Sequence, residues 1–234
     1  NNAITFIGKI IGKNECKKND SIYYSNNYYT AMPQTQLSNE CFQNGKKCFE
    51  LGEFEKSEIF FKKFCDIRPD LEDGYIFLAA SLDNLKRLEE SIITYDKALK
   101  INKENINTIK MQAYALYYVE RFIEACDNFE KIIKINKNAD LCFGAGCCYY
   151  KRGNLIEAIE KFNMALKIDI NHIPAWLNMG KCFYELQDYN KTINCYNAVI
   201  KIQPSSAIAF FYSAMAHCNL GNENIKEAVE LFKS

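Results

Sequence analysis

The sequence predicts an all-α fold, a solenoid of antiparallel helix pairs, and three observations carry that expectation. One pattern of residues recurs at a spacing of about 34 along most of the chain. Within each copy, small and aromatic residues hold fixed places that suit close helix packing. Helix breakers are scarce, with 4 Pro and 10 Gly in 234 residues, and 48% hydrophobic residues are enough to build a core.

The first helix of each pair is marked by Gly45, Ala79, Ala113, Gly146, Gly180 and Ala214, all glycine or alanine. One turn further along the same face stand Cys48, Leu82, Leu116, Tyr149, Phe183 and His217, mostly large and apolar. A second small residue follows about a dozen positions after the first marker: Ser57, Ser91, Ala125, Ala158, Thr192 and, after an insertion, Ala228. Four residues later every copy has an aromatic ring: Phe61, Tyr95, Phe129, Phe162, Tyr196 and Phe232. Small residues allow two backbones to approach, and a ring from the paired helix fills the space beside them. Turn signals at Leu51-Gly52-Glu53, Arg152-Gly153-Asn154 and Leu220-Gly221-Asn222 separate the two helices. Pro69 and Pro204 close their copies, because proline has no N–H to continue a helix. A single pair has too little core alone, so neighbouring pairs must stack.

This pattern resembles the tetratricopeptide repeat family, a helix–turn–helix of 34 residues with W-x2-L-G-x2-Y, A-x3-F and a late proline. Trp176-Leu177-Asn178-Met179-Gly180-Lys181-Cys182-Phe183, followed by Tyr196 and Pro204, matches it most fully. Gly146, Tyr149, Gly153, Ala158, Phe162 and Ala165 match it in the copy before. The resemblance covers residues 38–234 and implies a right-handed α-solenoid of five full repeats and a sixth cut off in its second helix. The leading tryptophan occurs once, replaced elsewhere by Cys41, Tyr75, Ile109, Cys142 and Phe210. The last copy carries the insertion Asn222-Glu223-Asn224-Ile225 and stops at Ser234 without a polar capping helix, so further repeats or another segment are expected to cover that end. Residues 1–37 form an N-terminal arm outside the repeats. The arm is expected either to dock its apolar residues Ile4, Phe6, Ile7, Ile10 and Ile11 on the array or on a second copy, or to be a partly disordered linker from an upstream domain, and the truncated last repeat is a second route to self-association.

Composition and motifs exclude several functions. The 29 basic residues balance 29 acidic ones, so the basic stripe that nucleic acid requires is not expected. Phosphate-binding glycine loops and H-E-x-x-H are absent, and His172 and His217 are the only histidines, too few for a metal site or a Cys/His nucleophile pair. The chain is therefore read as not an enzyme, with no cofactor and no metal. An odd count of 11 cysteines without C-x-x-C spacing reads as reduced thiols in an intracellular, reducing compartment, the cytoplasm first. The apolar run at residues 4–11 is far shorter than the roughly 20 residues of a membrane span.

In the family that the chain resembles, a concave face is lined by the first helices. Carried onto this sequence, the resemblance implies a partner-binding groove at Lys110, Tyr114, Tyr117, Tyr118, Phe143, Cys147, Tyr150, Lys151, Leu177, Lys181, Tyr184, Phe211 and Met215. Tyrosines suit such a face because the ring is apolar and the hydroxyl tolerates water. Earlier repeats add Phe42, Lys46, Phe49, Asp73, Ile76 and Asp83. The carboxylate clamp of co-chaperone members is matched only in type by Lys46, and the asparagine ladder of other members only by Asn178. The expected function is a protein–protein interaction scaffold or adaptor that holds an amphipathic helix or extended segment of a partner. The alternative is a regulatory or substrate-recruiting segment of a larger enzyme whose catalytic part lies elsewhere.

Overall fold

The computed structural model describes residues 33–221, which form eleven α-helices and no strand. They are α1 (Gln34–Glu50), α2 (Phe54–Ile67), α3 (Glu72–Asn84), α4 (Leu88–Ile101), α5 (Ile106–Tyr118), α6 (Phe122–Ile135), α7 (Ala139–Lys151), α8 (Leu155–Ile168), α9 (Ile173–Glu185), α10 (Tyr189–Ile202) and α11 (Ala207–Asn219). Helix α1 begins at Gln34 and so takes in residues 34–37 of the expected arm. Residues 1–32 of that arm and the second helix of the sixth repeat lie outside the described residues. No helix among the described residues is long and apolar enough to cross a membrane.

Two compact units divide the chain, Asn1–Thr108 and Ile109–Ser234. In the first, α1 packs on α2, α2 on α3 and α3 on α4, while α1 also reaches α3. In the second, each helix from α6 to α11 packs on the next, and α7 reaches α9. First helices thus approach first helices, whereas second helices make no comparable approach among the described residues. Within each unit the first helices therefore form one inner face.

The seats predicted from the repeat pattern hold the rings predicted to fill them. Phe61, Tyr95, Phe129, Phe162 and Tyr196 are fully buried. A Cβ placed on Gly146 would stand 2.5 Å from Phe162 Cε1, one on Gly45 2.9 Å from Phe61 Cζ, and one on Gly180 3.0 Å from Tyr196 Cε2. Two further glycines do the same between repeats. Gly144 at the start of one pair receives Phe129 of the pair before it, and Gly74 receives Phe64. Each of these rings therefore sets a helix spacing that a larger seat would enlarge.

Five of the six first helices among the described residues, α1, α3, α5, α7 and α9, end in one turn chemistry. The amide N–H of Glu53, Arg87, Arg121, Asn154 and Asp188 donates to the carbonyl of Cys48, Leu82, Leu116, Tyr149 and Phe183 respectively, at 2.9–3.0 Å. The residue before each donor is left-handed, and glycine supplies it at Gly52 (φ 77°) and Gly153 (φ 79°). Lys86, Glu120 and Gln187 adopt the same conformation at φ 59–64° without that freedom. Tertiary packing thus imposes the turn even where no glycine announces it in the sequence.

Two of the buried rings carry hydroxyls with opposite fates. Tyr95 donates to Asp83 Oδ2 at 2.8 Å, and burial pushes the Asp83 carboxyl above its usual range. The Tyr196 hydroxyl is buried without a partner, its ring stacked on Tyr212 at 5.3 Å.

Two contrasts follow for urea unfolding. Gly153→Ala should cost about 1 kcal/mol from backbone strain alone, because nothing lies within 4 Å of the new Cβ. Gly146→Ala should cost about 1–3 kcal/mol through collision with the buried Phe162 ring. Equal effects would separate seat size from ring packing. Tyr196→Phe should be neutral or stabilising by up to about 1 kcal/mol, whereas Tyr95→Phe should cost about 1–2 kcal/mol; a loss at position 196 would reveal a partner for that hydroxyl.

Candidate functional site

The main run of residues expected to line a groove falls between Lys110 and Met215, within the second unit, and the additions from Phe42 to Asp83 fall in the first. Those of the second unit come from the first helices α5, α7, α9 and α11, which begin with Ile106, Ala139, Ile173 and Ala207 and each run 13 residues. Equal length puts equivalent positions in register.

Several expected site residues are structural. Phe143 wedges between Phe162 at 5.8 Å and His172 at 5.1 Å, and Leu177 packs on the core formed by Tyr196, Val199 and Ala209. Tyr114 is half-buried with its ring edge-on to Phe129 at 5.2 Å. Tyr150 donates its hydroxyl proton to Glu185 Oε1, and Asn219 Nδ2 donates to Tyr184 Oη at 3.1 Å. Both are bonds between successive first helices, from the twelfth residue of one to the thirteenth of the next. They fasten α7 to α9 and α9 to α11. The hydrogen bond to Glu185, with burial behind it, pushes the Tyr150 hydroxyl well above its ordinary pKa.

The remaining members lie on α5 and α7, with Lys181 on α9 and Phe211 on α11. Tyr118 is 60% exposed, with its ring edge-on to Tyr117 at 5.9 Å. Tyr117 is half-buried against Phe122 at 5.4 Å, and burial pushes its hydroxyl up to about 12. The half-buried Cys147 thiol is likewise pushed up to about 12 by burial, so it stays protonated and unreactive. Lys151 is exposed and Lys181 half-buried. Burial pulls the Lys110 ammonium below its usual range, and the Asp140 carboxylate opposes that pull. On α11, Phe211 is 49% exposed beside Tyr212.

Sequence reasoning overlooked two features. His172 is buried at the N-terminus of α9, where Nδ1 accepts from the Ala175 amide at 3.1 Å, leaving Nε2 to meet Asp140 Oδ1 at 3.2 Å. An acceptor directly before Ile173-Pro174 was the available signal, since proline at the first turn marks a helix start. In the first unit, Phe42, Phe49 and Phe77 form one phenyl cluster, with the Lys46 ammonium 5.9 Å from the Phe42 ring and 5.8 Å from the Phe77 ring. Single-residue reading names Phe42, Lys46 and Phe49 as groove positions without joining them through Phe77. Among the described residues no three histidine, cysteine or carboxylate side chains gather to hold a metal ion.

Tetratricopeptide repeat models match residues 73–105, 139–172 and 173–206, the last two beginning at the first residues of α7 and α9. The chain belongs to the tetratricopeptide repeat family. It is 27% identical over 136 residues to human tetratricopeptide repeat protein 13, covering 57% of this chain and 15% of that protein. It is 22% identical over 218 residues to anaphase-promoting complex subunit 3 of Schizosaccharomyces pombe, covering 78% of this chain and 33% of that one. This tetratricopeptide chain thus spans a third or less of those relatives. Among solved structures it resembles YrrB, described as a TPR protein with an unusual peptide-binding site, at TM-score 0.62 and 24% identity over 73% of this chain and 88% of that one. That likeness concerns the fold.

The Tyr150–Glu185 bond is testable by a double-mutant cycle. Tyr150→Phe and Glu185→Ala should each lower stability by about 1 kcal/mol, and the double variant by little more than either alone. Additive losses would show that the two side chains act independently.

Proposed function

We propose that this chain is a non-catalytic interaction module whose inner face in the second unit holds a polypeptide partner, an amphipathic helix or an extended segment. One observation carries the reading. Tyr150 and Tyr184 are engaged in fastening helices, while Tyr117 and Tyr118 present adjacent rings whose hydroxyls have no partner among the described residues. Exposed tyrosine rings contribute large contact area at low entropic cost, which is how hot spots are built. The relatives agree in kind, since one is named as a subunit of an assembly and YrrB as a peptide binder. Scaffold, adaptor and cytoplasmic roles belong to this same reading.

Selection of a random dodecapeptide library on the full chain tests it. Selected peptides should lose about tenfold or more in affinity on Tyr118→Ala and keep it on Ile123→Ala, an exposed change on α6. Peptides indifferent to Tyr118→Ala would move the function to another surface.

A further inference from the structure

Within each unit, a first helix that follows another pair turns one face to the second helix of that pair. In α9 and α11 this face is built on the third, seventh and tenth residues, Ala175, Met179 and Cys182 in one and Ala209, Ser213 and Ala216 in the other, all buried. Contacts fix its direction: Ala209 clusters with Val199 of α10, and Ser213 Oγ donates to Asn197 Oδ1 of the same helix at 3.5 Å. The same three places in α3 and α7 are buried too, and there Gly74 receives the Phe64 ring of α2. None of the five first helices after α1 carries a charge at any of the three.

Helix α1 breaks the rule. Its Gly45 seats Phe61 as Gly180 of α9 seats Tyr196, which aligns the two helices. The three places then fall to Glu40, Asn44 and Lys47. We infer that α1 closes the stack: its outer face accepts no helix pair, so a second copy of the chain cannot continue the array head to tail from this end. The closed end is independent of what the inner face binds.

A helix laid on α1 as α10 is laid on α11 would cover Glu40 and Lys47, and both would lose hydration without gaining a partner. Two turns, about 10 Å, separate them along the helix, too far for one to neutralise the other. Size adds to charge. The tenth place is small in all five later helices, so a lysine there also holds an incoming helix away. Gln36, Asn39 and Gln43 are exposed on the same helix, and Gln36 Nε2 donates to Glu40 Oε1 at 3.5 Å. Amides and charges suit water, as the outer face of a terminal repeat must. Units that join head to tail without closing grow into filaments, and a charged face at one end keeps such an array discrete.

The full chain is tested in solution. Acetylation of Lys47, followed by mass spectrometry at low and high protein concentration, should run within about threefold of its rate in the urea-unfolded chain. Lys47→Glu should move the melting temperature by less than about 2 °C and leave sedimentation unchanged. Glu40→Ala combined with Asn44→Met and Lys47→Ala writes residues of the later helices into α1, so its sedimentation coefficient should rise with concentration, with circular dichroism verifying the fold. Lys47 protected more than about tenfold in the native chain, or an assembly that Lys47→Glu dissociates, would show the face covered and overturn the inference. So would a triple variant that sediments like the wild type at every concentration, because the charges would then not be what keeps the end closed.

Discussion

A ring that enters the space left by a missing side chain fixes the distance and the register of two helices at once. Phe162 over Gly146 and Tyr196 over Gly180 do this within a pair, and Phe129 over Gly144 does it between pairs. Dispersion forces fall steeply with separation, so a ring seated directly on backbone gains contacts that a seat one methyl larger would deny it. The repeated turn then returns the chain to the same place each time, and the inner face inherits its alignment from that repetition. Twelfth and thirteenth residues of successive helices meet because the aromatic seats have already set the spacing.

The fold could be read from sequence for the same reason. A seat and its ring are both strongly restricted in residue type, so their spacing survives even where the leading tryptophan has become Cys41 or Ile109. Turns were visible only at Gly52, Gly153 and Gly221, because Lys86, Glu120 and Gln187 reach the same left-handed geometry with side chains that advertise nothing. The inner face was harder to interpret. Position alone assigned Tyr117, Tyr150 and Tyr184 one role, yet what the last two hydroxyls do depends on a residue in the following repeat, an acceptor in Glu185 and a donor in Asn219. Phe143 and Leu177 likewise occupy expected groove positions while packing on the core.

A division of labour on one helical surface results. Tyr150 and Tyr184 hold successive first helices together, and the proposed function leaves the rings of Tyr117 and Tyr118 to a partner. Burial pushes the Cys147 and Cys182 thiols up to about 12, which keeps them protonated at neutral pH. Function in such a face lies in placement of rings and charges on a rigid scaffold, with recognition set by the few groups left unsatisfied.

The most direct test of this division is a nuclear magnetic resonance titration of the ring-labelled tyrosines with a selected peptide. Tyr117 and Tyr118 resonances are expected to shift on binding while the core rings Tyr95 and Tyr196 stay fixed and Tyr150 and Tyr184 move little. Large shifts at Tyr150 and Tyr184 with none at Tyr117 and Tyr118 would contradict it, because the helix-fastening hydroxyls would then be the ones that bind.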